Sequence, residues 1–343
     1  MKRSLKVAGE KPGHLIRELI DDDFDFDADS PAGEFEYEIA RLAWEEGLSS
    51  NTILERKQLP KTAQQITKIR RALEKAVRHG LLELRPPRKK ELEDSLKKEF
   101  PDVAEIRVQI DRNAACLKAA MLVKAEVEQF LDGPKERMVI ANAGGRTVRD
   151  ITRYLERLVP LPPYVEKGKR LVFLSLNAAE AHDSFDQCAN FLSVRMAQIY
   201  ASEQTSHFAL VKPWDETTGT EYRKLLSEIS LLITSAGGRV GFLSHWLSKR
   251  NRALPRQFVG DVALHLIDRL GIQVEMEPDV AKELSRAPDW QGLMQLFIRK
   301  KVLVVLAGDK LEIARALLGS ALAQRCVLDR RLAEAILRSR AQP

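Results

Sequence analysis

Two adjacent glycines followed by an arginine and a threonine form the part of the sequence best suited to bind an anion. Residues 138–141 are apolar, as in a buried strand, and Thr147 opens a segment whose apolar residues recur at helical spacing. Gly144 and Gly145 lie between them, where a turn would expose backbone N–H groups at the positive end of a helix. Arg146 adds a cation and Thr147 a hydroxyl, so the pattern favours a bound phosphate group. An ordinary strand-to-helix turn would use the same glycines, and the sequence here has neither the Walker nor the dinucleotide-binding glycine pattern.

Three later apolar runs end in turns that could belong to the same site, at Asn177, Gly237 and Lys310. The turns that follow the strands of a parallel sheet meet at one edge, where ligands of α/β proteins bind. Lys310 stands at the expected start of a helix, where a cation is mildly unfavourable unless an anion is bound nearby. A solvated position would also explain this lysine. These turns extend the candidate phosphate site.

A second group of polar residues lies on one predicted helix and favours nucleic acid. The candidate DNA-binding residues are Lys61, Gln64, Gln65, Thr67, Lys68, Arg70 and Arg71. Amides and hydroxyls can read base edges, whereas lysine and arginine neutralise phosphates. Residues 56–90 contain two acidic residues, Glu74 and Glu83, and end in a basic run. A solvated helix face would also carry such charges, but the neighbouring elements favour DNA binding.

The elements around this helix predict a winged helix-turn-helix. Residues 34–46 have apolar residues at helical spacing, and Ser49 or Ser50 can cap a second, short helix. A third helix runs through residues 66–77, and residues 81–85 resemble an edge strand. Three helices and a strand in about fifty residues outline a winged helix-turn-helix DNA-binding domain, which we assign to residues 33–90.

The rest of the chain divides into three further segments. Residues 133–343 alternate between strand-like and helical runs, which predicts an α/β domain with a mostly parallel sheet. Residues 91–132 are predicted to be a helical connector that could pack against a second subunit, with a weak strand-like alternation at 103–110 and a long helix at 113–131. Residues 1–32 are predicted to be a flexible acidic arm with a run of aspartates at 21–29. An alternative is that this arm folds back on the basic segment and competes with nucleic acid.

The overall composition favours a soluble intracellular protein. The 343 residues exceed one small domain, 44% are hydrophobic, and the net charge of +6 is compatible with an acidic partner. Three distant cysteines, Cys116, Cys188 and Cys326, fit neither a disulfide framework nor a zinc spacing, so a reducing cytoplasm is expected. The sequence has no apolar run of the roughly 18 residues that a spanning helix needs, and no signal-like segment near its start. No cofactor or membrane partner is expected.

Two separate regions together resemble the SorC-type sugar-responsive transcriptional regulators. Residues 40–49 and 76–84 are similar to the helix-turn-helix of that family. The family's sugar-binding domain is matched by Gly145-Arg146-Thr147, by Leu176-Asn177, by Gly260-Asp261 with Asp268 and Gly271, and by residues 310–318. These pieces follow one another in the family's order and at its separations, which is more specific than any one of them.

The resemblance implies a Rossmann-like effector domain whose fold is shared with phosphosugar isomerases and deaminases. It also implies a phosphorylated sugar or polyol as effector, and a homodimer or homotetramer bound to double-stranded operator DNA. With the turns described above, the candidate effector-binding residues are Gly144, Gly145, Arg146, Thr147, Asn177, Gly237, Asp261, Asp268 and Lys310. Asp261 and Asp268 could accept sugar hydroxyls or could cap and solvate a helix. A regulator of this kind is not an enzyme, and no catalytic residue is assigned.

The sequence departs from the family pattern in two turns. In the first turn, the family's usual asparagine followed by two glycines is replaced by Asn177-Ala178-Ala179, whose two added methyl groups narrow the turn. In the second turn, Asp309 brings a negative charge near the expected phosphate. Two alternatives therefore stay open: a regulator whose pocket has degenerated, and a phosphosugar isomerase-like enzyme. The acid–base cluster available to such an enzyme is Glu180, His182 and Asp183.

Overall fold

The computed structural model describes most of the chain, in two compact units. The described residues are 16–19, 38–39, 42–43, 49–78, 82–85, 89–159, 169–176, 185–200, 206–208, 216–240, 242–277, 289–299 and 301–339. Unit 1 comprises Met1–Pro87 with Arg157–Pro162, and unit 2 comprises Arg88–Glu156 with Pro163–Pro343.

In unit 1, helix α1 (Ser50–Arg56) packs on helix α2 (Ala63–Arg78), and residues 38–39 and 42–43 are also helical. The side chain of Ser49 caps α1 by accepting a hydrogen bond from the N–H of Thr52, which is the cap expected from the sequence. The apolar core of the unit consists of Ile39, Leu42, Ala43, Ile53, Leu54, Ile69 and Ala72. Because Ile69 and Ala72 point into this core, α2 buries one face and leaves the other to solvent.

A two-stranded antiparallel sheet completes the described part of unit 1. It pairs β1 (Ile16–Leu19) with β2 (Leu82–Arg85), and Ile16 lies opposite Arg85. Residues 16–19 of the predicted flexible arm therefore form a paired strand. The acidic run at 21–29 lies outside the described residues.

Unit 2 is built around a mixed sheet. Seven of the described strands are β3 (Glu105–Gln109), β4 (Arg137–Asn142), β5 (Arg170–Ser175), β6 (Ser206–Phe208), β7 (Ile229–Gly238), β10 (Val302–Leu306) and β11 (Arg325–Asp329). They lie side by side in the order β3-β11-β10-β7-β4-β5-β6, and each adjacent pair is parallel. Two short strands, β8 (Gly260–Val262) and β9 (His265–Ile267), extend β7 in antiparallel fashion. The predicted α/β class and mostly parallel sheet are confirmed.

Helices pack against the strands of this sheet. Those described are α3 (Lys90–Glu99), α4 (Arg112–Asp132), α5 (Arg146–Leu158), α6 (Ala189–Ile199), α7 (Glu216–Glu228), α8 (Phe242–Ser248), α9 (Trp290–Ile298), α10 (Leu311–Gly319) and α11 (Arg330–Arg338). α4 packs on β11 and β10, α6 on β5, and α10 on β7. All five residues of β10 are buried, because a central parallel strand is covered on both faces. Within the described ranges, no helix is both long enough and apolar enough to cross a bilayer.

Residues 91–132, which the sequence assigns to a connector, belong to the sheet of unit 2. β3 is an edge strand that pairs in parallel with β11, and Ile106 and Val108 bury their side chains in the main core. Arg325 of β11 forms ion pairs with Glu105 of β3 and, at 2.7 Å, with Glu126 of α4. The strand and the long helix expected in this segment are thus present, as elements of the α/β unit rather than of a connector. The other segment boundaries stay a prediction.

Candidate functional site

The carboxyl ends of β4 and β7 mark the point where the strand order of the sheet reverses. The chain proceeds from β4 through β5 to β6 on one side, whereas β7, β10 and β11 lie on the other side of β4. Ligands of open α/β sheets bind beyond the strand ends at such a point. The turn at 144–147 follows β4, Gly237 lies in the last part of β7, and Lys310 follows β10. The sheet therefore brings these predicted site residues to one edge.

The turn after β4 leads directly into α5. Gly145 has a φ of +109°, a left-handed conformation that would strain a residue with a side chain. Its N–H donates a 2.7 Å hydrogen bond to the carbonyl oxygen of Gln187. Gly144 is half-buried, Arg146 is exposed, and Thr147 is buried. Arg146 and Thr147 thus begin the helix, at its positive end.

The carboxyl group of Asp261 packs against the backbone of Gly237. The two residues are partners in the antiparallel pair of β7 and β8. A Cβ atom on Gly237 would lie 2.2 Å from Oδ1 of Asp261, so only glycine leaves room for this carboxyl group. Burial raises the pKa of Asp261 to about 6, although the backbone N–H of Leu264 and the charge of Lys310 oppose the increase. Asp261 can therefore either donate or accept a proton near neutral pH.

Lys310 lies at the centre of the charged groups on this edge. It precedes α10, is half-buried, and its side chain does not cap the helix. Burial lowers the pKa of Lys310 to about 8; Asp261 opposes this shift, and Arg112 and Arg146 add to it. The amine thus faces one acid and two cations, in surroundings where an added anion would favour its protonated form.

Arg112 is a cation of this edge that the sequence analysis missed. It begins α4 directly after β3, and Asp111 caps the helix by accepting a 2.8 Å hydrogen bond from the N–H of Ala114. Nη2 of Arg112 lies 2.6 Å from Oδ2 of Asp150 on α5. The signal was present in the sequence, because an apolar alternation followed by an aspartate cap is typical of a strand entering a helix. The assignment of residues 91–132 to a connector left Arg112 out of the predicted site.

Asp268 has a different position from Asp261. Its Oδ1 accepts hydrogen bonds from the N–H groups of Leu270 and Ile272, at 2.8 and 2.9 Å. Gly271 in the same turn packs against Ser320, just beyond the last turn of α10. The structure therefore gives Asp268 a turn-forming role, next to the opposite end of α10 from Lys310.

The turn before Lys310 is fixed by Asp329. Oδ2 of Asp329 accepts a 2.6 Å hydrogen bond from the N–H of Gly308, and Oδ1 caps α11. The side chain of Asp309 is exposed, and its carbonyl oxygen lies beside Gly238. The short turn thus connects the ends of β7, β10 and β11.

Several residues of the predicted sites lie outside the described part of the chain. One is Asn177, together with the alanine pair that follows it. The others are the cluster considered for an enzyme, Glu180, His182 and Asp183. The roles proposed for these residues rest on the sequence.

Six of the seven candidate DNA-binding residues lie on the outward face of α2 or in the turn before it. Lys61, Gln64, Thr67, Lys68, Arg70 and Arg71 are exposed, whereas Gln65 is half-buried and its side-chain oxygen is buried. Lys61 pairs with Glu55, and the Thr67 hydroxyl donates to the carbonyl of Ala63 at 2.8 Å. An open cavity of about 570 Å³ on this face is lined by Ala63, Gln64, Gln65, Thr67, Lys68 and Arg71. The face is therefore polar, basic and concave.

Comparison with known proteins gives matches in structure. No protein-family model matches the sequence, and no curated protein matches it. Three of the similar solved structures are transcriptional regulators. The full-length sorbitol operon regulator SorC from Klebsiella pneumoniae is 15% identical, with a TM-score of 0.54 over 89% of this chain and 98% of its own. The probable sor operon regulator from Shigella flexneri is 14% identical, with a TM-score of 0.53 over 72% of this chain and 98% of its own.

A transcriptional regulator from Streptococcus pneumoniae TIGR4 has a TM-score of 0.57 at 12% identity, over 74% of this chain and 98% of its own. At such identities the likeness establishes a common fold. The resemblance to SorC-type regulators that the sequence indicated is thus confirmed at the level of structure.

Proposed function

We propose that this protein is a transcriptional regulator that binds operator DNA through unit 1 and a small phosphorylated effector through unit 2. One observation carries the proposal. The likeness to the Klebsiella SorC regulator extends over 89% of this chain, which is more than the α/β unit alone contains. A cytoplasmic regulator rather than an enzyme is the function in keeping with these structural neighbours.

Unit 1 would act as a winged helix-turn-helix. α1 and α2 pack together on an apolar core, and the outward face of α2 carries amides beside cations. In this arrangement Gln64 would reach base edges, while Lys68, Arg70 and Arg71 would neutralise phosphates. Gln65, whose side-chain oxygen is buried, would reach a base edge only after a change of rotamer. The β1–β2 pair would form the wing.

Operator binding would require two copies of unit 1. A helix-turn-helix dimer binds two half-sites about one or more helical turns apart, and its symmetry is mirrored by a palindromic operator. We therefore propose a homodimer, or a homotetramer made of two dimers, as the DNA-binding form. This follows from the proposed mode of DNA recognition.

The effector would bind with its phosphate between the turn after β4 and the start of α10. Arg146 and Lys310 would supply positive charge, and the amides of Gly144, Arg146 and Thr147 would supply directed donors, since the Gly145 N–H is already bonded to Gln187. Asp261 lies close enough to interact electrostatically with Lys310 and would hydrogen-bond a sugar hydroxyl. Gly237 would keep the space that this carboxyl group occupies. Asn177 completes the proposed set, whereas Asp268 holds a turn near the opposite end of α10 from Lys310 and is left out of it.

Effector and operator would affect each other through the equilibrium between two states of the dimer. If the effector changes the affinity for DNA by some factor, DNA must change the affinity for the effector by the same factor. Equal factors measured in both directions would support one coupled system. Unequal factors would mean that one of the two ligands also binds elsewhere.

The experiment that tests the DNA-binding half is selection of sites from genomic DNA. Purified full-length protein is incubated with fragmented DNA of its own genome at near-physiological salt, and retained fragments are sequenced. Enrichment of one or a few palindromic sites is expected, and the neighbouring genes would nominate the effector. Retention without sequence preference would reduce the proposal to a basic surface. No retention would contradict it, and Glu180, His182 and Asp183 would become the residues to test for enzymatic activity.

A further inference from the structure

We propose that Arg112 is an anion ligand of the effector site and that Asp150 is its competing counterion, so that this carboxylate sets the affinity for phosphate. The proposal rests on the proposed effector site and adds its regulation. Neither residue belongs to the set that the sequence or the family resemblance assigned.

Arg112 lies next to the residues proposed to hold the phosphate. Its Nη2 lies 2.6 Å from Oδ2 of Asp150, which is on α5, one helical turn after Arg146. Its charge is also near enough to Lys310 to lower the pKa of that amine. The guanidinium therefore has both a carboxylate partner and the proposed phosphate cluster in its surroundings.

The guanidinium of Arg112 has donors to spare. Arginine presents five N–H groups in a planar fork, and within the described residues one hydrogen bond from this side chain is seen, to Asp150. The side chain is 40% exposed, so it can change rotamer without unpacking a core. Arg112 can thus meet an anion either by turning away from Asp150 or by sharing its donors between the two.

Asp150 does not depend on Arg112 alone for neutralisation. Its Oδ1 accepts hydrogen bonds from Nε and Nη2 of Arg149, each at 3.1 Å. Arg149 in turn reaches Asp186 at 3.2 Å, in the short 3-10 turn Phe185–Gln187. Because Arg149 stays in place, Asp150 would not become an uncompensated buried charge when Arg112 turns to a ligand. Turning Arg112 from Asp150 to a ligand therefore costs little free energy.

Asp150 also opposes the phosphate directly, because both are anions. Its side chain is 16% exposed, so its charge is only partly screened by solvent. Two effects then lower the phosphate affinity: Asp150 occupies Arg112, and its charge repels the ligand. The first effect disappears when Arg112 is absent, whereas the second remains.

The test is the dissociation constant of inorganic phosphate, measured by calorimetry with the full-length protein. Asp150→Asn should bind phosphate roughly five- to tenfold more tightly, because one nearby negative charge is removed and Arg112 is released. Arg112→Ala should bind roughly tenfold more weakly, because a charge-assisted hydrogen bond is lost. Arg112→Lys should lie between Arg112→Ala and the unmodified protein, because the charge stays and the fork is lost.

The double variant separates competition for Arg112 from simple repulsion. In the Arg112→Ala background, Asp150→Asn should change the affinity less than twofold. A matched control is Asp186→Asn, which removes one carboxylate from the same chain of ion pairs without touching Arg112 and should change the affinity less than twofold. Thermal unfolding of each variant checks that it folds.

Four results would overturn the proposal. Arg112→Ala could fold and bind phosphate as tightly as the unmodified protein. Alternatively, Asp150→Asn could tighten binding equally with and without Arg112, which would leave only long-range repulsion. If Lys310→Ala abolishes phosphate binding while neither Arg112 nor Asp150 matters, this proposal fails and the effector site stands. If the unmodified protein binds no phosphate, both fail.

Discussion

The charged groups of the two candidate sites differ in how far they are removed from water. On α2, Lys68, Arg70 and Arg71 are exposed on the outward face of the helix. At the edge of the sheet, Lys310 is half-buried and Asp261 is buried, and burial moves the pKa of each toward neutrality. Exposed charges add up, act at a distance and are screened by salt. Buried ionisable groups act at short range, and their charge depends on pH, since burial moves their pKa values toward neutrality.

The largest expected difference between the two regions is in their response to salt. Three cations from each of two subunits would neutralise about six phosphates, so raising salt from about 50 to about 200 mM should weaken DNA binding roughly 10³-fold. Phosphate binding at the sheet edge should weaken only a few-fold over the same range, because few ions are released. Fluorescence anisotropy with a selected operator and calorimetry with phosphate would measure the two slopes. Equal slopes of log affinity against log salt would mean that the two regions do not differ in their response to salt.

The next effect concerns the lysine at the sheet edge. Lys310→Ala should weaken phosphate or sugar-phosphate binding on the order of 10²-fold, because charge-assisted hydrogen bonds in a poorly solvated site contribute about 1.5–3 kcal/mol each. DNA binding without effector should be unchanged. Arg269→Ala is a suitable control, since Arg269 is exposed and pairs with Glu312 on the same helix α10. Unchanged effector affinity in Lys310→Ala would contradict the assignment of Lys310 to phosphate binding.

A third prediction uses the acid of the same cluster. Burial raises the folded-state pKa of Asp261 to about 6, so the folded protein holds a proton that the unfolded chain has lost between about pH 4 and pH 6. The stability of the fold should therefore fall as pH rises through this window, by on the order of 2 kcal/mol. Asp261→Asn should remove this fall and be the more stable protein at pH 7.

Urea unfolding followed by tryptophan fluorescence would test this, because Trp246 and Trp290 both lie in unit 2. A steeper loss of stability in Asp261→Asn over the same window would contradict the assignment. Lys310 has the opposite dependence. Its folded-state pKa is lowered to about 8, so its contribution to stability rises with pH between about 8 and 10.

The smallest effects are expected from single cations on α2. Lys68→Ala and Arg70→Ala should each weaken operator binding a few-fold and make the slope of log affinity against log salt shallower by about 1. Lys61→Ala should change less, since Lys61 already pairs with Glu55. No change in either slope would mean that α2 is not the recognition helix.

The alternation of strands and helices in unit 2 could be predicted because central strands are apolar throughout. Val302 to Leu306 and residues 171–174 are continuous apolar runs, and both are fully buried strands. The turn at Gly145 could also be predicted, since its glycines interrupt an apolar run before a helical pattern. The polar face of α2 could be predicted for the complementary reason, because its inward residues recur at helical spacing.

The composition of the sheet edge could not be predicted in full, because strand order is not a local property. β3 precedes the other strands of unit 2 in sequence but pairs with β11, the last one, and this pairing makes it a sheet strand. Arg112 reaches the site only through that pairing. Gly237 faces Asp261 through β8, a strand of three residues whose signal is too short for periodicity. Asp261 and Asp268 are the same residue type in neighbouring parts of the sequence. Their different roles become visible in the structure, where the N–H groups of Leu270 and Ile272 hold Asp268 in a turn.

The pairing of β3 with β11 also delays the completion of the sheet in the newly made chain. Glu105 and Arg325, which form an ion pair across these strands, are separated by 220 residues. At a synthesis rate of about 5–20 residues per second, β3 would wait roughly 10–40 seconds for its neighbour to be made. During that interval Ile106 and Val108 have no native partner in β11. Each nascent chain therefore carries an unpaired apolar strand for most of the time that the ribosome spends on unit 2.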